Sequence, residues 1–175
     1  MRIDVRVARP DDAEDVAAAH VQSWRVGYRH VFTKAVLYAD DFESSRRAMW
    51  RRVLSEPPPG MTTWVVVLDG QVVGFANIGP ERERDDAPAC RAEVWAFYLH
   101  PDSWGSGCAS ALMTAAVDDL LDRGYTEVIL WVLEDNPRGR AFYEKVGWRL
   151  TGASATFDRY CDQPVPEVEY VRPLG

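Results

Sequence analysis

The stretch best equipped for chemistry is Leu99-His100-Pro101-Asp102-Ser103-Trp104-Gly105-Ser106-Gly107-Cys108-Ala109-Ser110, where an apolar, strand-like run gives way to small residues and then to a helix-forming sequence. Glycine at 105 and 107 lets backbone N–H groups come close to a ligand. The start of a helix adds unpaired donors and the positive end of its dipole. These are the parts of a phosphate cradle, although an ordinary tight strand-to-helix turn uses the same residues. No Gly-Lys-Ser/Thr follows, which excludes a Walker loop, and GxGxxG is not completed after Gly107, which disfavours a dinucleotide fold. A second segment runs from Leu130 to Trp148. In it Asn136 and Tyr143 stand seven residues apart, two helical turns, so both can face one groove while Phe142 and Val146 turn to the core. Tyrosine in such a place also serves as plain packing with its hydroxyl at the surface.

Elements that position these segments can be read from periodicity. Ile3–Arg9 alternates apolar and charged residues as a half-buried strand does, and Pro10-Asp11-Asp12-Ala13-Glu14 reads as a helix start with Asp11 as N-cap and Glu14 three residues on. That helix runs to about Tyr28, with Ala13, Val16, Ala17, His20, Trp24 and Tyr28 on one face. A second helix covers Val36–Leu54, with Arg46, Arg47, Arg51 and Arg52 on a solvated face, up to the turn Glu56-Pro57-Pro58-Pro59-Gly60. Strands Thr62–Leu68 and Val72–Ile78 flank Asp69-Gly70, a hairpin dipeptide. After the charged connection Glu81–Pro88 come a strand at Arg91–Leu99, a helix ending at Gly124 and a buried strand at Val128–Leu133. The last elements are a helix from Asn136-Pro137 to Gly147 and strands at Trp148–Thr156 and Glu167–Val171. The order is β-α-α-β-β-β-α-β-α-β-β.

The chain has 175 residues, a length that fits a single domain over 1–175. Its 20 Lys and Arg against 27 Asp and Glu give a net charge of −7, the wrong sign for gripping nucleic acid by phosphate neutralisation and compatible with a cationic or neutral small partner. The longest apolar runs are strand-length, so no membrane helix is expected, and the N-terminus lacks the apolar core of a signal peptide. A cytoplasmic location is the default. Cys90, Cys108 and Cys161 form neither a disulfide framework nor a CxxC pattern, and His20, His30 and His100 lack metal-ligand spacing, so no metal is expected. A C-terminal strand ending Val168-Glu169-Tyr170-Val171 could pair across a homodimer.

Leu99 through Leu112 resembles the acetyl-CoA-binding motif of the GCN5-related N-acetyltransferases, Gln/Arg-x-x-Gly-x-Gly/Ala, and Asn136 through Trp148 resembles their second motif, Asn-x-x-Ala-x-x-Phe-Tyr-x-x-x-Gly-Phe. The resemblance extends over almost the whole chain and implies a three-layer α/β/α fold with a mixed, largely antiparallel central sheet. It implies acetyl-CoA as cosubstrate, CoA as product, and direct transfer of acetyl to the amine of a small molecule or peptide. A non-catalytic acyl-CoA-binding sensor or interaction domain of the same fold is the alternative. On this resemblance the main chain of Phe97, Tyr98 and Leu99 pairs with the pantetheine arm along a splayed strand. Trp104, Gly105, Ser106, Gly107, Cys108, Ala109 and Ser110 hold the pyrophosphate, Asn136 contacts the cofactor, and Tyr143 sits at the general-acid position. The departing thiolate, with an intrinsic pKa near 8.5, calls for such a donor. Trp104 stands where the family has Gln or Arg, so the loop carries no cation of its own and must lean on backbone N–H groups, helped by Arg138 or Arg140 across the groove.

An acceptor amine arrives protonated, and Glu93 is the first candidate for the base that relieves it. It lies on the strand leading to the loop and by alternation shares a face with Trp95 and Phe97, where a carboxylate is unusual without a task. Glu134 or a water relay are the other options. For the acceptor, the helix face of His20, Trp24 and Tyr28 is where the resemblance puts the substrate wall.

Overall fold

A computed structural model describes residues 1–82, 88–159 and 164–175. The middle of the charged connection 81–88 and Cys161 lie outside the described residues. The elements are β1 (Ile3–Val7), α1 (Ala13–Gly27), α2 (Lys34–Leu37), α3 (Phe42–Ser55), β2 (Thr62–Leu68), β3 (Gln71–Pro80), β4 (Arg91–Leu99), α4 (Cys108–Asp122), β5 (Glu127–Leu133), α5 (Pro137–Lys145), β6 (Arg149–Phe157) and β7 (Val165–Pro173). One sheet runs β1-β2-β3-β4-β5-β7-β6, and every neighbouring pair is antiparallel except β4 with β5. It is the expected mixed, largely antiparallel sheet between helical layers. On one face Leu112, Met113, Ala116 and Leu120 of α4 pack with Val66, Ile78, Val94 and Leu130. On the other, Val16 and Ala17 of α1 and Trp50 of α3 pack on Val65 and Phe75. The Asp69-Gly70 turn forms as expected, with both residues at positive φ (49° and 93°), the backbone of a twist-matched two-residue hairpin.

Three local expectations are corrected. Residues Pro10–Asp12 form a short 3-10 turn, and Asp12, not Asp11, governs the helix entry: its carboxylate accepts from the Arg9 N–H at 2.6 Å and from the Arg6 guanidinium at 2.7 and 2.8 Å. Glu14 turns outward to Arg47 and Arg51. The helix expected over Val36–Leu54 is divided into α2 and α3, and Arg46 leaves the solvated face. Its guanidinium lies 3.6 Å over the Phe42 ring and donates to the Phe42 carbonyl at 3.0 Å, 5 % exposed among aromatic side chains that cover its stem. Finally, β7 has no free edge to pair across a dimer, because β5 and β6 occupy both its sides. The outer strand there is β6, exposed along nearly its whole length.

Candidate active site

The site begins as a fault in the sheet. Pairing of β4 with β5 runs from Arg91 opposite Glu127 to Val94 opposite Leu130 and then stops, while β4 stays paired to β3 as far as Leu99 and β5 to β7 as far as Leu133. A bulge sits where the strands part. Asn77 faces Ala96 and Ile78 faces Val94, leaving Trp95 without a partner in β3, and its indole N–H turns out to the Pro80 carbonyl at 3.0 Å. An extra residue of this kind bends a strand and sharpens its twist. Two backbone edges, Trp95–Leu99 and Trp131–Leu133, therefore face each other across a groove of about 680 Å³. Backbone N–H and C=O groups on such edges need a partner, and an extended molecule carrying amides supplies one.

The same bulge reverses side-chain parity, which corrects the reading of Glu93. Phe97 and Leu99 join Val94 on the α4 face, whereas Ala96 and Tyr98 lie on the α1 face. Glu93 is thereby separated from Phe97. Its carboxylate, 3 % exposed, accepts from the Arg82 backbone N–H at 3.1 Å and from Arg82 Nη2 at 2.8 Å, and it takes no part in the groove wall. A buried carboxylate held by a guanidinium is a structural tie. The expected result for Glu93→Gln is a folded protein destabilised by about 1–3 kcal/mol, read as a fall in thermal midpoint, with kcat kept within about twofold. Loss of turnover at unchanged stability would return Glu93 to the chemistry.

Serine hydroxyls build the glycine turn. Ser103 Oγ donates to the His100 carbonyl at 2.7 Å, and Ser106 Oγ donates to the Ser103 carbonyl at 2.6 Å while accepting the Cys108 N–H at 3.3 Å. Gly105 and Gly107 take φ of 80° and 92°, which turns the chain into α4 and brings Gly105, Gly107, Ala109 and Ser110 to the groove wall. Among the described residues the amides of these four have no hydrogen-bond partner. Ser106 and Cys108 were expected beside them, but neither lines the groove: Cys108 is fully buried against the α4 core, and Ser106 serves the turn itself. Trp104 ties the turn to the end of β4, its indole N–H donating to the Leu99 carbonyl at 3.1 Å, and the Arg138 guanidinium lies 4.2 Å over its ring. The cation missing from the turn thus comes from α5. Arg140 is directed elsewhere, to the Tyr170 hydroxyl and the Glu134 carbonyl.

Asn136 does two things. Its Oδ1 accepts the Gly139 N–H at 2.9 Å, capping α5, and its Nδ2 donates to the Tyr28 hydroxyl at 3.4 Å. Two turns on, Tyr143 is 8 % exposed between the rings of Phe97, Phe142, Trp148 and Tyr170 and lines the same groove. Burial, reinforced by Tyr98, pushes its hydroxyl well above the ordinary phenol range. It therefore stays protonated throughout the working range, with its O–H available to donate.

The expected acceptor face divides. Trp24 and Tyr28 line the groove, while His20 lies outside its wall. The imidazole stacks on Tyr98 at 4.9 Å and accepts the Trp50 indole N–H at 3.2 Å. Burial, with Arg46 adding to it, lowers its pKa to about 3, so the ring is neutral. Burial raises the pKa of both Tyr28 and Tyr98. Sequence reasoning missed Arg29, His30, Trp131, Phe157 and Glu167, all in the groove wall. Glu167 carried the signal that singled out Glu93, an acid within an apolar strand. Among the described residues no cluster of metal-ligating side chains exists and no helix is long and apolar enough to cross a membrane.

A wedge-opened sheet beside a glycine turn that starts a helix is the arrangement that the acetyltransferase resemblance implies, and the sequence comparisons supply the family. Residues 20–148 match the model of the Acetyltransferase (GNAT) family, and the chain belongs to that family. It is 30% identical over 137 residues to the uncharacterized N-acetyltransferase YuaI of Bacillus subtilis, covering 77% of this chain and 74% of that protein. It is 28% identical over 174 residues to the probable N-acetyltransferase Rv2775 of Mycobacterium tuberculosis, covering 96% and 92%. The crystal structure of PaiA N-acetyltransferase from Thermoplasma acidophilum in complex with coenzyme A shares the fold at 18% identity, with a TM-score of 0.74 and 99% of each chain covered.

Proposed function

We propose that the protein transfers an acetyl group from acetyl-CoA directly to a primary amine of a small molecule or peptide. The observation that carries this reading is a single groove leading from four unpartnered amides at residues 105–110, between two open strand edges, to the protonated hydroxyl of Tyr143. These residues fit coenzyme A. The turn amides and Arg138 suit a pyrophosphate. The backbone of Phe97, Tyr98 and Leu99 suits the pantetheine amides, and Asn136 lies farther along the wall. Acetyl-CoA supplies the acyl group already activated as a thioester. The deprotonated amine nitrogen bonds to the acetyl carbon as the C–S bond breaks, the protons it sheds pass to solvent, and Tyr143 donates to the departing sulfur, which a phenol hydroxyl accomplishes by hydrogen bonding even where full proton transfer is uphill.

The position of Cys108 supports direct transfer. A covalent route needs a nucleophile at the reacting carbon with a base beside it, and Cys108 is sealed in the α4 core beside the phosphate end. Initial rates with both substrates varied should give intersecting double-reciprocal lines, and Cys108→Ala should keep its activity. Parallel lines together with an acetylated Cys108 peptide would overturn the direct route, and absence of acetyl-CoA binding would overturn the whole reading.

A further inference from the structure

Charge in the groove is distributed unevenly. Its described lining holds Arg29, Arg138 and Lys145 but a single carboxylate, Glu167, at the strand position where β7 lies opposite Leu133. Arg138 belongs with the glycine turn, and among the described lining residues Glu167 is the one whose charge attracts a cation. The apolar side of that place is aromatic. Phe157 lies 6.0 Å from Trp24, Tyr28 lies 5.2 Å from it and perpendicular, and Tyr98, whose hydroxyl feels the negative charge of Glu167, lies 6.3 Å from it. Aromatic faces beside a carboxylate receive an ammonium through charge and the ring quadrupole together, and they cover a flat apolar body with little desolvation.

Resting on the acetyl-transfer reading above, we propose that the acceptor is a primary monoamine on an aromatic body, with Glu167 as the counter-charge of its ammonium and the ring seated against Trp24 and Phe157. Two other amine classes fit less well. An amino acid brings its own carboxylate towards Glu167, and a polyamine must place its second ammonium against rings or beside Arg29. Arg46, the other charge felt by Tyr98, points its guanidinium over Phe42. Glu167 is thus a specificity-determining residue, distinct from the donor Tyr143.

The test compares phenethylamine, spermidine and aspartate as acceptors, following CoA release, in the wild type and in Glu167→Gln and Glu167→Asp, with acetyl-CoA affinity measured by calorimetry in each. Phenethylamine should exceed the other two by about tenfold or more in kcat/KM. Glu167→Gln should lower its kcat/KM by on the order of tenfold, chiefly through KM, Glu167→Asp should recover part of the loss, and acetyl-CoA affinity should not change. The proposal is overturned if Glu167→Gln keeps its phenethylamine kcat/KM within twofold, if spermidine or aspartate is preferred, or if none of the three is acetylated by a protein that binds acetyl-CoA. Failure of the wild type to bind acetyl-CoA strikes the underlying reading instead, and the calorimetry separates the two.

Discussion

Tyr143→Phe should bind acetyl-CoA with nearly the wild-type affinity and turn over about 10²–10⁴ times more slowly, the range associated with a positioned acid. Both halves of this expectation come from the surroundings of the ring. The phenyl body is clamped by Phe97, Phe142, Trp148 and Tyr170, and phenylalanine keeps all of those contacts, so fold and groove shape survive. The hydroxyl has no hydrogen-bond partner among the described residues, so its removal leaves no buried group stranded and acts on the leaving sulfur alone. Because the pKa is raised, the activity of the wild type should show no loss from Tyr143 ionisation on the alkaline side up to pH 10. Full kcat in the variant would make Tyr143 a packing residue and place the acid elsewhere.

Gly107→Val should weaken acetyl-CoA binding by on the order of 100-fold in a protein that still folds. Space is not the obstacle, since an added Cβ would meet only Ile3 Cδ1, at an ordinary 3.7 Å. The obstacle is φ at 92°, which a β-branched residue avoids, so the turn must rearrange and carry its amides away from the groove. Gly124, just beyond α4 at φ 85° with nothing within 4 Å of its Cβ position, provides the control. Gly124→Val imposes similar strain at the far end of the same helix and should cost stability without touching cofactor affinity. Equal affinity in folded Gly107→Val and Gly124→Val proteins would remove the turn from the binding site.

What the sequence revealed and concealed follows from the range of each signal. Asp69-Gly70, Asn136-Pro137 and the two glycines of the turn act through their own backbone preferences, so their roles are legible without knowing their neighbours. The bulge at Trp95 is different. A run of apolar and aromatic residues from Val94 to Leu99 has the same composition with or without one extra residue, and only the register against Asn77 and Ile78 decides. That one residue misplaced Glu93. The division of α2 from α3 was hidden for a similar reason, as Tyr38–Asp41 contains neither proline nor glycine. Arg46 looked solvated because charge is read locally, while its burial depends on Phe42 and Trp24 arriving from two helices. Glu167 became visible only when β7 was placed between β5 and β6, with Leu133 on one side and Ala155 on the other.

The parted strands also divide the molecule mechanically. Among the described residues, four ladder pairs, Arg91 with Glu127 through Val94 with Leu130, and the Thr126 N–H donating to the Cys90 carbonyl at 2.9 Å just before them, make the backbone seam between the β1–β4 block and the β5-β7-β6 block. A sheet transmits cooperativity through its ladders, so a seam this short makes the two blocks separately openable units, with the amides along β4 beyond the bulge exchanging with solvent before those of β2 and β3. A molecule bonded to both open edges acts as a missing strand. Its binding energy is then also cohesion between the blocks, and the protein resists opening as a whole most strongly while its groove is filled.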